Sequence, residues 1–207
     1  MKMNYKKGHG LNRLKSSKLY TAKDINKYLE IKNKTLYHWV QNKRLLKPKI
    51  EGIGRGKKNK FTLENLATLY LIKVLNNYRI DLWAIRDILK RISSPFLEEI
   101  IRPLFERKRI IIESKFNEKK HSKRKVNLWT AYKKGKKLFQ KEGLFLIVSM
   151  SLEEKKVFYI IDDLIGAKKR LELMAKDKEG YEYLASMIFI DVVSIIKDLE
   201  RKTGEEF

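Results

Sequence analysis

Residues 21–42 read TAKDINKYLEIKNKTLYHWVQN, and the spacing of apolar side chains in this stretch decides the fold of the first half of the chain. Thr21 stands before Ala22, Ile25, Tyr28 and Leu29, a helical period opened by a residue whose hydroxyl can accept a free N–H of the first turn. A link over 30–33 follows, with Asn33 or Lys32 as the next cap. In the helix predicted over 34–42, Leu36, Trp39 and Val40 fall at i, i+3 and i+4 and so share one buried face. Lys34, Tyr37, His38 and Gln41 are left on the other. Two short helices joined by so tight a link have the spacing of a helix-turn-helix, whose second helix enters the major groove of DNA.

Downstream, the same logic predicts helices near 63–78, opened by Thr62, and 82–92, opened by Asp81. Between the second and third helices, Lys49 to Lys60 places Gly52, Gly54 and Gly56 among Arg55, Lys57, Lys58 and Lys60. Alternate glycines permit a tight hairpin with positive φ, and the neighbouring side chains are cationic, as in a wing that lies on phosphate. A solvated loop is the alternative.

Several short motifs of residues 19–92 resemble the MerR family of winged helix-turn-helix DNA-binding proteins. They are Tyr20-Thr21-Ala22-Lys23-Asp24-Ile25, Thr35-Leu36-Tyr37-His38-Trp39, Leu45-Leu46-Lys47-Pro48, Lys60-Phe61-Thr62-Leu63-Glu64-Asn65-Leu66 and Ile80-Asp81-Leu82-Trp83-Ala84-Ile85. The stretch departs from the family pattern in three ways: Tyr37 stands where arginine is common, one residue is inserted before Leu45, and no long uninterrupted helix follows Ile92. The phage excisionase branch of this fold also uses a Thr-Leu-Tyr-x-Trp helix. The resemblance implies duplex DNA as partner, transcriptional regulation as role, and a homodimer on a two-fold site. The expected DNA contacts are Lys34, Tyr37, His38 and Gln41 toward base edges, with Thr35 on the same helix, Lys43 and Arg44 at the helix end, and Arg55, Lys57, Lys58 and Lys60 in the wing.

The charge distribution points the same way. The 207 residues carry 48 Lys+Arg against 25 Asp+Glu, a net of +23. Residues 1–60 hold 18 basic and 3 acidic side chains, a net of +15, whereas 151–207 hold 10 and 13, a net of −3. Such polarisation costs self-repulsion and is explained if a polyanion lies against the first part of the chain. Residues 1–18 mix Lys, Arg, Asn, Ser and Gly without period and read as a disordered basic arm.

Ser93-Ser94-Pro95 interrupts the helical pattern and marks a boundary. Residues 93–108 read as a linker with a short helix, and 109–207 as an α+β domain. Strands are expected at Arg109 to Phe116, Val126 to Tyr132 and Leu144 to Met150, from their β-branched and aromatic content. Ser151-Leu152-Glu153-Glu154 has the form of a capping box, predicting a helix that runs through Val157, Ile161, Leu164, Ile165, Leu171 and Met174. Tyr181 to Arg201 predicts a second long helix, with a buried strand over Met187 to Ile195 as its competitor. The apolar middle, Ala185 to Ile196, makes the 152–201 helices the expected dimer interface. The fold class is therefore α+β: a winged helix-turn-helix, then a small antiparallel sheet with two long C-terminal helices.

Little speaks for catalysis. There is no cysteine, hence no disulfide, thiolate metal site or cysteine nucleophile. His9, His38 and His121 lack metal-ligand spacing, and no glycine run opens a helix as a phosphate-binding loop does. Asp162-Asp163 has the look of a carboxylate pair at a strand end, but on the helical reading both are solvated and diverge by about 100°. Trp39 and Trp83 are expected in the core; Trp129, between basic runs, is open. No enzyme activity, metal, cofactor or membrane span is expected, and no effector is indicated. The basic amino terminus lacks the apolar core of a secretory signal, so a cytoplasmic location is expected. The alternatives are a mobile-element accessory protein of excisionase or partition type, and an RNA-binding module stacking bases on Trp129 and Tyr132.

Overall fold

The computed structural model describes residues 18–52, 58–92, 128–151, 156–174, 176 and 187–207. Four helical segments occupy the first part: α1 (Ala22–Leu29), α2 (Asn33–Tyr37) continuing as a π turn (His38–Asn42), α3 (Leu63–Asn77) and α4 (Leu82–Ile92). The second part holds α5 (Leu128–Lys134), α6 (Lys136–Glu142), β1 (Phe145–Ser151), β2 (Lys156–Asp162), α7 (Leu164–Met174), β3 (Ile188–Asp191) and α8 (Val192–Thr203). The protein is thus α+β, with a three-stranded antiparallel sheet in the order β2-β1-β3.

Caps set the ends of α1 and α3. Thr21 and Asp24 form one capping box and Thr62 and Asn65 the other, each satisfying donors of a first turn that have no partner within the helix. Helix α3 is apolar over most of its circumference because it is covered on two sides. Leu66, Ala67, Leu69, Leu71, Ile72 and Leu75 are all buried, with α1 packed on one side and α8 on another. From α8 come Val192, Val193, Ile195, Ile196 and Leu199, also buried. The apolar core runs without a break from Tyr20 to Phe207. Two tyrosines staple it: Tyr20 Oη donates to Glu205 at 2.6 Å and Tyr70 Oη to Asp198 at 2.8 Å.

In the sheet, β1 is central, and Leu146, Ile147 and Val148 are buried on consecutive positions, as a strand covered on both faces requires. Phe145 pairs with Asp162 on one side and Asp191 on the other, so β2 and β3 finish at the same end of the sheet. A helix starts directly after each. Asp191 caps α8 by accepting from the N–H groups of Val193 and Ser194, and Asp163 accepts from Gly166 N–H at 2.7 Å at the start of α7. Gly166 is required there: a Cβ on it would lie 2.1 Å from Asp162 Oδ1.

Several sequence expectations are corrected. Residues 126–127 lie outside the described residues, and over Leu128 to Tyr132 the strand expected at Val126 to Tyr132 is instead helix α5. Its buried residues Leu128, Trp129 and Tyr132 fall at i, i+1 and i+4, a helical face whose aromatic content imitates a strand. The helix expected from the Ser151 box is absent over 156–162. Ser151 ends β1, and Lys156–Asp162 pairs with β1 in continuous register, because an apolar central strand must satisfy its backbone groups on both edges. Among the described residues, Leu164–Met174 is the part of that expected helix that forms. Of the second long helix, Ile188–Asp191 is strand β3 and α8 begins at Val192, so the competing strand reading holds for four residues only. Asp162 and Asp163 are buried, not solvated. Trp83 is about half exposed, not core. The expected arm over 1–18 apart from Lys18, the expected short helix within 93–108, the expected strand Arg109 to Phe116 and residues 181–186 of the second expected long helix lie outside the described residues.

Candidate nucleic-acid interface

The Thr21–Asp24 box fixes where α1 begins. Thr21 N–H donates to Asp24 Oδ2 at 2.7 Å and its hydroxyl does so at 2.8 Å, and these two bonds, the backbone one first, hold the Asp24 carboxyl below its ordinary range. Ile25 and Leu29 then face the core. Helix α1 stops at Glu30, whose φ of 54° turns the chain left-handed. The link is tied by Lys73 Nζ, which donates to Leu29 O at 2.8 Å, and by Asn26 Nδ2, which reaches Ile31 O at 3.3 Å. Ile31 is buried, so the link is anchored on both sides of its turn.

Leu36, Trp39 and Val40 are buried as their spacing predicts. On the outer side Lys34, Tyr37 and Gln41 are exposed, Tyr37 to 62%. A tyrosine left that far in water on a well-packed helix is available to a partner. Thr35 and His38 are half-buried, and His38 Nδ1 lies 3.5 Å from Asn42 Nδ2. Lys43 is half-buried and Arg44 exposed.

From His38 the helix widens. Lys43 N–H bonds His38 O at 2.8 Å, so this turn holds one residue more than an α turn, and Leu45 N–H then bonds Trp39 O at 2.9 Å across six residues. Leu45, just past this turn, is buried. The chain then passes through Arg44 at φ 50°.

The Gly-rich stretch has a paired base. Ile50 and Lys60 exchange backbone hydrogen bonds, Gly52 N–H donates to Asn59 Oδ1 at 2.8 Å, and Phe61 pairs with Tyr20. Lys58 is exposed and Lys60 half-buried. Arg55 and Lys57 lie outside the described residues. Of the expected contacts, the structure therefore brings Lys34, Tyr37, Gln41 and Arg44 to the surface of one helix and its end, and presents Lys58 from a separate hairpin base.

A further basic face belongs to α4. Trp83, Arg86 and Lys90 fall at i, i+3 and i+7, all three are exposed, and Arg86 donates to Lys43 O at the end of the π turn. Tyr78 and Arg79 are exposed at the turn that precedes α4, Arg79 with φ 60°. The i, i+3, i+7 spacing of Trp83, Arg86 and Lys90 was present in the sequence as a signal, but the apolar residues beside Trp83 obscured it. By contrast, Trp129 and Tyr132 are buried, with Trp129 Nε1 donating to Thr68 Oγ1 at 2.9 Å. Neither ring is available to stack on a base.

Among the described residues, no group of three or more His, Asp and Glu side chains is placed to hold a metal ion, and no helix is long and apolar enough to cross a membrane. Compared with known proteins, the chain matches no family model and no curated sequence.

Proposed function

We propose that the protein is a sequence-specific duplex DNA-binding regulator of transcription, with residues 19–92 acting as a MerR-like winged helix-turn-helix. The observation that carries this reading is the exposed row Lys34, Tyr37 and Gln41, on a helix held from behind by Leu36, Trp39 and Val40 and entered through a tight, doubly tied link. Side chains of this kind, on a rigid helix in a chain of net charge +23, suit base edges in a major groove. Lys43, Arg44 and the hairpin cations Arg55, Lys57, Lys58 and Lys60 then lie on phosphate. The exposed Arg79 and Arg86 extend the same role to the start of α4.

A homodimer on a two-fold site follows from the resemblance. Within the expected interface over 152–201, Ile190, Ile195 and Ile196 are buried inside one chain, whereas Ile165 and Phe189 are exposed to a partner. Selection of bound sequences from a random duplex pool tests the reading. One enriched motif is expected; a pool that stays random after repeated rounds would overturn it.

A further inference from the structure

Helix α8 ends at Gly204, whose φ of 69° turns the chain left-handed, and the three residues that follow touch both halves of the molecule. Glu205 accepts from Tyr20 Oη at 2.6 Å. Tyr20 belongs to the base of the hairpin, since it exchanges backbone hydrogen bonds with Phe61, next to the Ile50–Lys60 pair. Phe207 lies against α5 instead. It is buried, its ring edge-on to Trp129 and Tyr132 at centroid distances of 5.9 and 6.3 Å, with Lys133 Nζ 4.9 Å from the ring centre. Lys136 Nζ of α6 donates to Glu206 at 2.9 Å and to the Phe207 backbone oxygen at 3.3 Å, while Phe207 N–H donates to Glu200 Oε1 at 2.8 Å. Helix α5 is in turn tied to α3, by Trp129 Nε1 on Thr68 Oγ1 and by Lys133 on Glu64.

We propose that Gly204–Phe207 is a strap through which the hairpin base and the α5–α6 pair hold each other in place, so that release of one end releases the other. The segment belongs to no helix or strand, and its side chains are fixed by the contacts at its two ends. Only Glu206 separates those ends, and a trans chain spans at most about 3.6 Å per residue. Lifting the Phe207 ring off Trp129 and Tyr132 therefore draws Glu205 from Tyr20, and cutting the Tyr20 bond leaves Phe207 held from one side. Gly204 supplies the hinge: its φ is positive, and a Cβ there would meet nothing within 4 Å. A partner that grips α5–α6 thus acts on the hairpin, and one that grips the hairpin acts on α5–α6 by the same free energy. The consequence for duplex binding rests on the DNA reading; the coupling itself does not.

The test is a double-mutant cycle on the full chain, read by urea unfolding without DNA, with one substitution at each end of the strap. Tyr20→Phe alone should raise the unfolding constant about fivefold, and Phe207→Ala alone about a hundredfold or more. Once Phe207 is cut, removing the Tyr20 hydroxyl should add less than about twofold, because that bond has already been let go. Should Phe207→Ala not fold, the cycle is run with Phe207→Leu, where the added factor must again fall below that of Tyr20→Phe alone. As a control, Lys73→Gln removes an ammonium that ties Leu29 O and Glu30 and touches no part of the strap; its factor should be the same with and without the Phe207 substitution. A Tyr20→Phe factor undiminished in the double variant would overturn the proposal, leaving two independent contacts. No effect of Tyr20→Phe alone, or an equal shortfall in the Lys73 cycle, would overturn it as well. A chain that shows the coupling but selects no duplex keeps the strap and loses the DNA reading.

Discussion

The hydroxyl of Tyr70 in α3 donates to Asp198 in α8 at 2.8 Å, a bond across 128 positions of sequence that joins the proposed DNA-binding helices to the last helix. Asp198 also accepts from Arg201 and Lys202. Burial pushes its carboxyl up, but the hydrogen bonds from Lys202, Tyr70 and Arg201 outweigh it and bring the value to about 2. Tyr70, in turn, is pushed up to about 12, by burial first and by Asp198 second.

A folded-state carboxyl held below its unfolded value stabilises the fold above the ordinary carboxylate range and ceases to do so as pH falls through the folded value. Stability should therefore decline between about pH 5 and pH 2, with Asp198 responsible for up to about 2 kcal/mol. The tyrosine adds a second window, lost as pH rises from about 10 to about 12. Tyr70→Phe should cost about 1–2 kcal/mol at pH 7. Asp198→Asn should flatten the acid limb, as read by urea melts across pH; an acid limb identical to that of the parent would remove Asp198 from this role.

Gly166 offers a sharper test of packing. Since a Cβ there would stand 2.1 Å from Asp162 Oδ1, Gly166→Ala must displace a buried carboxylate from the start of α7. A loss of about 2 kcal/mol or more is expected from thermal melts. Unchanged stability would mean that Asp162 is free to move.

The π turn makes a counterintuitive prediction about deletion. Removing Asn42 lets Lys43 N–H reach His38 O across four residues, so that an ordinary α turn replaces the wide one. The deletion should cost less than about 1 kcal/mol, whereas removing Ile72 from α3 should abolish folding by rotating half of a buried helix. Circular dichroism melts of the two deletions decide it, and comparable damage from both would contradict the account.

How much of this was legible in the sequence depended on where the period was clean. Leu36, Trp39 and Val40, and the Thr21 and Thr62 caps, are local signals, and each appears in place. Residues 156–162 failed for a different reason: Val157 and Ile161 fit a helical period by coincidence, and the deciding term was the unpaired edge of β1, which no local window contains. Trp129 and Tyr132 failed likewise, because the surface that covers them includes Thr68 and Phe207, far away in sequence. Arg86 was missed because its partner is the Lys43 carbonyl. The wide turn at His38–Asn42 left no local signal in the sequence.

For the hairpin, counterion release supplies a number. Each phosphate neutralised contributes about −0.9 to the slope of log affinity against log salt. Neutralising Arg55, Lys57, Lys58 and Lys60 together should flatten that slope by roughly two to four units and leave the preferred sequence unchanged. An unaltered slope in folded variant protein would show that the hairpin does not touch DNA.

The most direct measurement of the central claim is the ratio of affinities for the selected duplex and a scrambled one, for the parent, Lys34→Ala and Tyr37→Ala at one salt concentration. The account predicts a parent ratio of about 10³ or more. Each substitution should weaken binding to the selected duplex by about 1–3 kcal/mol and change binding to the scrambled duplex far less. Equal losses on both duplexes, with the ratio intact, would contradict it: the exposed face of the helix would then touch phosphate and read no sequence.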